Sequence, residues 1–294
     1  MVRNHLRVGG VAALILGSFS IATTLWANEG TEIDYRPDVT YATVAGEELK
    51  LDLVRPKELD HAVPAIVVIH GGGWLAGKRQ DMTSVAKEVA AHGYVAATIS
   101  YRLAPKHRFP AQIEDSKCAV RYLRAHADEL NVDPTRIGAY GVSAGAHLAM
   151  MLGALDPADA MEGDGGNLEQ PSKVQAVVSF VGPVNLAGEN YTPTQVQILS
   201  AFLGGDPKEK QAECRSASPI TYLNKGDAPV LCFFGTKDPL VSYDQALQIA
   251  TALTNSGVPG RVEMILGAGH GWGGKERIRT DHATMAFFDE HLKK

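Results

Sequence analysis

The chain has 294 residues, a formal net charge of −5, 45% hydrophobic residues and 21% charged residues. That balance is ordinary for a soluble globular protein, with room for one large α/β domain or two small ones. The mild acid excess, with no basic block, repeat or low-complexity run, gives no expectation of nucleic acid or an anionic membrane as a partner.

At the N-terminus, Arg3, His5 and Arg7 precede an apolar run over 8–22, and Thr23-Thr24-Leu25-Trp26-Ala27 leads into the polar, acidic stretch that opens at Asn28. A basic start, an apolar middle and a small residue before a polar stretch read as a secretory signal peptide over 1–27. Ala27 is the preferred last residue, and Ala22 is a competing site. The expected mature protein is periplasmic or secreted, without stable membrane insertion, and comprises a single domain over 28–294. Export would permit a disulfide. Yet Cys118 falls on a helical pattern and Cys232 in an apolar strand, so buried free thiols are expected for these and Cys214. None of them has metal-ligand spacing.

From there, apolar runs alternate with helical patterns. Runs at 39–44 and 49–54 read as an antiparallel hairpin, 65–69 as a fully apolar strand, 82–92 as a helix, 95–100 as a strand and 112–126 as an amphipathic helix. Asp133-Pro134-Thr135 reads as a turn before a strand at 137–140, and 144–155 as a helix. Strands are expected at 174–180, 230–234 and 262–266, and helices at 243–255 and 280–292. Such alternation predicts an α/β fold with a mostly parallel sheet covered on both faces. Residues 156–173 are polar and Gly-rich and read as a surface loop. Residues 186–224, with a short helical pattern at 196–203, are too long for an ordinary connection and read as a small cap over the C-terminal edge of the sheet.

Four stretches at predicted strand ends carry chemistry. Gly141-Val142-Ser143-Ala144-Gly145 is a G-x-S-x-G pattern between a strand and a helix, a corner that exposes a serine hydroxyl and directs backbone N–H groups at one point. His70-Gly71-Gly72-Gly73-Trp74 follows the 65–69 strand; its glycines let the backbone approach a substrate and present donors to a developing oxyanion. No Lys-Ser/Thr pair follows, so it is not a phosphate loop. Asp238 follows the 230–234 strand and His270, flanked by Gly269 and Gly271, follows the 262–266 strand. Ser143, Asp238 and His270 thus stand in the chain order of a nucleophile, an orienting acid and a general base. Ala144 offers a further N–H. Trp74 and Trp272 flank these stations and read either as pocket lining for substrate or as packing. His147, one turn beyond Ser143, points along its helix and is not expected to act directly; His92, His107, His126, His282 and His291 read as surface or helix-packing residues.

These stretches, together with Tyr101-Arg102-Leu103-Ala104-Pro105, Phe109-Pro110-Ala111 and Ser218-Pro219-Ile220, resemble the α/β-hydrolase superfamily, in its esterase branch related to hormone-sensitive lipase and bacterial acetyl or feruloyl carbohydrate esterases. The resemblance spans nearly all of 38–292. Val142 stands where the hormone-sensitive-lipase branch carries Asp, and the sequences around Ser218 and Asp238 look more like the carbohydrate-esterase side. The resemblance implies a triad of Ser143, Asp238 and His270, an oxyanion hole from Gly72, Gly73 and Ala144, a bracing role for Arg102 with Asp115 as its partner, and no metal or organic cofactor. It implies a serine carboxylic ester hydrolase working through an acyl-enzyme on small-molecule or carbohydrate-linked esters with short acyl or feruloyl groups. Amide hydrolysis of the arylformamidase or peptidase type is the alternative on the same scaffold. A non-catalytic binding protein is a third reading, disfavoured because all three triad positions are filled. Oligomeric state is not legible in the sequence.

Overall fold

The computed structural model describes residues 31–294, so the expected signal peptide lies outside the described residues. Eight strands form one sheet in the order β1-β2-β4-β3-β5-β6-β7-β8. β1 (Ile33–Val44) and β2 (Glu47–Pro56) are the predicted hairpin, extended at both outer ends, and β2 also pairs antiparallel with β4 (Val95–Ile99). β3 (Val63–Ile69), β5 (Val132–Val142), β6 (Ala176–Phe180), β7 (Val230–Gly235) and β8 (Gly260–Ile265) continue the sheet with parallel pairing. Every residue of β3 is buried, as expected of a strand covered on both faces.

Helices α1 (Thr83–Ala91) and α7 (Gly274–Leu292) cover one face, where Val85, Val89, Met285 and Phe288 pack on Ile66, Val68, Tyr140, Val178 and Phe233. The other face carries α2 (Ala111–Ala125), α3 (Ala144–Ala154) and α6 (Asp244–Ser256), with Ile113, Leu148 and Ile249 against Val67, Ala139 and Cys232. Cys118, Cys214 and Cys232 are buried and unpaired. Burial pushes the thiols of Cys118 and Cys232 up to about 11 and about 12, which keeps them in the unreactive protonated form. Among the described residues no helix is long and apolar enough to cross a membrane.

Three details differ from the sequence reading. Asp133-Pro134-Thr135 lies inside β5, at the place where pairing with β3 jumps from Val63↔Val132 to Ala65↔Ile137. The turn chemistry is real, since Asp133 Oδ1 accepts the N–H of Thr135, but it kinks the strand without ending it. α7 starts six residues before the expected Thr280, because Lys275, Glu276 and Arg279 on its first turns are exposed and leave no apolar period to read. The 156–173 loop is more than surface. Its Glu162 takes hydrogen bonds of 2.7 Å from both Lys117 Nζ and Arg121 Nη1, two α2 cations whose side chains are sealed from solvent and need a counter-charge.

The topology creates the site. The crossover from β3 to β4 steps one way across the sheet and the crossover from β4 to β5 returns past β3 to its other side, so the C-terminal ends of the adjacent strands β3 and β5 mark a switch point, the usual ligand crevice of an open α/β sheet. The loops after β3 and β5 therefore meet, and the loops after the neighbouring strands β7 and β8 do likewise. The close approach is enforced by the elbow glycines: a Cβ on Gly145 would stand 2.2 Å from the carbonyl oxygen of Ile69, and one on Gly141 would stand 2.2 Å from that of Gly145. Gly145→Ala should cost about 1–3 kcal/mol in denaturant unfolding, the usual penalty of overpacking, and should also push the elbow off the end of β3. Parent-like stability would contradict this packing.

Two histidines are sealed into this junction: His70 after β3, 2% exposed, and His147 on α3, fully buried. Loss of hydration pulls both down to about 4, against about 6.5 for an unfolded imidazole. The native state keeps both rings neutral, so their contribution to stability is fully present above about pH 6.5. It declines as the unfolded chain takes up protons, and stops declining near about pH 4. Between about pH 7 and about pH 5, His70→Asn should lose about 2 kcal/mol less unfolding free energy than the parent, because one titrating ring is gone. Equal losses in urea titrations would contradict it.

Candidate active site

Ser143 sits between β5 and α3 with φ +56° and ψ −120°. A left-handed φ costs a non-glycine residue about 1–3 kcal/mol and persists only where the surroundings over-determine it. They do so here: the Ser143 N–H donates to Phe180 O of β6 at 2.8 Å, and its carbonyl accepts the His147 N–H at 3.0 Å. The hydroxyl is left free to face the loops from β7 and β8.

His270 Nε2 stands 2.8 Å from Ser143 Oγ, and His270 Nδ1 stands 2.7 Å from Asp238 Oδ2. A carboxylate only accepts, so Nδ1 carries the proton and the Nε2 lone pair faces the serine. The other oxygen of Asp238 takes the N–H groups of Leu240 and Val241 at 2.8 and 3.0 Å, and the side chain has no solvent access. The two loops are stitched together by Lys237 N–H to Ala268 O and Gly267 N–H to Thr236 Oγ1, each 2.8 Å. The three residues expected to act together are thus in contact, although they come from three strand ends.

Gly73 and Ala144 line a cavity of about 330 Å³ beside Ser143. The Ala144 N–H is in the first turn of α3, one of the donors a helix leaves without an internal partner. Gly72 shapes the loop, its carbonyl accepting the N–H groups of Leu75 and Ala76. Behind the loop, the His70 ring stacks on Tyr101 at 4.3 Å, and the Tyr101 hydroxyl donates to the His70 carbonyl. Arg102 is a brace, as its sequence context implied: its backbone N–H and its guanidinium both bond Asp115.

The two tryptophans part company. Trp74 lines the cavity but is only 3% exposed; it is clamped between His147 and Phe202. Trp272 does not line it. Its indole packs on the opposite apolar cluster against Phe180 and Phe233, with Nε1 donating to Thr280. Of the two readings left open for Trp272, substrate contact and packing, its contacts carry packing.

The 186–224 segment forms the outer wall. α4 (Pro193–Leu203) and α5 (Gln211–Ser216) lie in it, and α4 begins with a Thr192/Gln195 capping box followed by proline. Gln195 Nε2 donates to Leu240 O, which ties this wall to the Asp238 loop. Ser218 accepts the Leu186 N–H and donates to Cys214 O, a structural account of its motif. Sequence reasoning missed Asn185, Gln245 and Gln248. Gln245 takes the N–H groups of Val184 and Asn185, and the Asn185 amide donates to Gln248. All three line the cavity, and as isolated polar residues on a helix and a loop they carry no pattern.

The BD-FAE family model matches residues 51–253. Esterase LipC of Mycobacterium tuberculosis is 32% identical over 254 residues, covering 82% of this chain and 62% of that protein, so the chain spans under two thirds of this relative's length. A truncated carbohydrate esterase from gut microbiota superimposes with TM-score 0.81 at 28% identity, covering 91% of this chain and 99% of the other. Esterase 2 of Thermogutta terrifontis, phosphonylated by sarin, superimposes with TM-score 0.75 at 26% identity, covering 89% of this chain and 95% of the other. With an eight-stranded sheet ordered as above, a serine at the switch point and these relatives, the chain belongs to the BD-FAE family and has the α/β-hydrolase fold.

Proposed function

We propose that the protein is an exported serine carboxylic ester hydrolase that works through an acyl-enzyme on short-chain or carbohydrate-linked esters. The observation that carries this reading is the unbroken chain from Asp238 through His270 to Ser143, with contacts of 2.7 and 2.8 Å. His270 Nε2 takes the Ser143 proton as Oγ bonds the ester carbonyl carbon. The carbonyl oxygen becomes an oxyanion, met by the N–H groups of Gly72, Gly73 and Ala144, donors worth roughly 3–4 kcal/mol each in a dry site. The protonated His270 then gives its proton to the departing alkoxide, leaving an acyl ester on Ser143. Water, deprotonated by His270, attacks that ester, and the carboxylic acid leaves as Ser143 recovers its proton. Asp238 stays ionised throughout, holding the ring and stabilising its charged form.

The cavity supports the substrate class. Part of its lining is buried and apolar, with Trp74, Leu186, Ile198 and Leu199, and its volume of about 330 Å³ suits a short acyl group. The lining also carries the polar side chains of Asn185, Glu189, Asn190, Gln245 and Gln248, of which Asn185 and Gln245 are bonded within the protein, and this polar share suits a hydroxyl-bearing alcohol such as a sugar. The likeness to a carbohydrate esterase points the same way. Export is supported by the basic, apolar and small-residue pattern over 1–27.

Hydrolysis of p-nitrophenyl acetate and of acetylated sugars, measured side by side, tests the reading. The parent should hydrolyse both, and Ser143→Ala should lose about 10⁴-fold or more in kcat on each. Comparable activity in the two proteins would contradict the role given to Ser143. Turnover of long-chain esters ahead of acetyl esters would contradict the substrate class.

A further inference from the structure

Among the buried rings that the steps above leave without a task is one on the helix that carries Ser143, hydrogen-bonded at both nitrogens. His147 lies one turn into α3, four residues after Ser143, with no solvent exposure. Its Nε2 stands 2.6 Å from the Ala217 carbonyl, which only accepts, so Nε2 carries the proton. Its Nδ1 therefore has a free lone pair, which takes the indole Nε1–H of Trp74 at 3.2 Å. Both nitrogens are used, and each reaches a different part of the site.

The Trp74 arm reaches the oxyanion loop. Trp74 directly follows Gly73 and has φ +62°, a strained conformation for a residue with a side chain. It is held by the His147 bond, by a stack on Phe202 at 4.1 Å and by its own carbonyl, which takes the Ala104 N–H at 2.9 Å. The Ala217 arm reaches the cap. Ala217 ends α5 and precedes Ser218, whose hydroxyl accepts the N–H of the cavity residue Leu186. A phenyl ring or a leucine fills such a space as well as an imidazole does. Only a group with an acceptor on one side and a donor on the other joins both walls to the helix that carries Ser143.

We infer that His147 is a positioning residue with two separable arms: its bond to Trp74 aims the oxyanion-loop N–H groups at Ser143, and its bond to Ala217 sets the cap that shapes the substrate cavity. The inference rests on the ester-hydrolase reading of Ser143. Oxyanion donors help only when fixed on the point where charge develops, so the Trp74 arm acts on kcat. A cap wall contacts ground state and transition state alike, so the Ala217 arm acts on KM.

Two conservative variants separate the arms. Asparagine places an amide oxygen near the Nδ1 position and is too short for Ala217, so His147→Asn keeps the Trp74 arm alone. Glutamine places an amide nitrogen near the Nε2 position, so His147→Gln keeps the Ala217 arm alone. With p-nitrophenyl acetate, His147→Gln should lower kcat about tenfold, the factor one neutral hydrogen bond is worth, with KM within about twofold. His147→Asn should raise KM by about tenfold with kcat within about twofold. Trp74→Phe, which keeps the stack on Phe202 and loses the donor, should repeat the kcat loss of His147→Gln. Thermal melts identify any variant that does not fold, and Trp74→Phe then decides the kcat arm by itself. Equal changes in kcat and KM in both His147 variants, or an unchanged kcat in folded Trp74→Phe, overturn the inference. Full activity in Ser143→Ala overturns the ester-hydrolase reading beneath it, a result distinct from a failed split.

Discussion

The fixed backbone of Ser143 is the constraint on which the site depends. The strained φ of this residue is maintained from both sides, by Phe180 O on the N–H and by the His147 N–H on the carbonyl. The elbow also needs α3 to start against the end of β3, at a distance only glycine allows at position 145. Once those contacts are made, the hydroxyl, the Ala144 N–H and the glycine loop after β3 share one location. The strain is thus a by-product of packing a strand end, a helix start and a neighbouring loop into a space with no room for a Cβ.

The electrostatics follow from the same junction. Asp238 is out of water yet fully partnered, by two backbone N–H groups on one oxygen and His270 on the other. A buried carboxylate so arranged has no freedom to leave His270, and the ring has one orientation toward Ser143. His70 and His147 are held neutral by burial. One histidine thus has its Nε2 lone pair aimed at the hydroxyl, while the other two are engaged by protein partners, His70 by Gly71 O and Tyr101 and His147 by Trp74 and Ala217.

Much of this was legible in the sequence because each station is local. A run of apolar residues followed at once by Gly71-Gly72-Gly73, by the elbow, by Asp238 or by Gly269-His270-Gly271 marks a strand end with a functional loop, and parallel strands bring all such ends to one edge. What was not legible depends on contacts remote in the chain or on which face a side chain takes. Nothing near Trp272 says that its indole turns to Phe180 and Phe233, whereas Trp74 faces the cavity. The bond from His147 to Ala217 spans 70 residues, and that from Lys117 to Glu162 spans 45. The early turns of α7 escaped notice because an exposed helix start has no apolar period, and Asp133-Pro134-Thr135 looked like an ending because turn chemistry inside a kinked strand reads the same way as a true turn.

The central claim is that Ser143 becomes covalently acylated during turnover. Acid quenching of a reaction with p-nitrophenyl acetate in its first moments, followed by intact-mass and peptide mass spectrometry, tests it most directly. The account predicts an acetyl group on the peptide carrying Ser143, absent from Ser143→Ala and accompanied by a burst of p-nitrophenol equal to the enzyme present. Steady hydrolysis with no burst and no adduct, or an adduct on another residue, would contradict it.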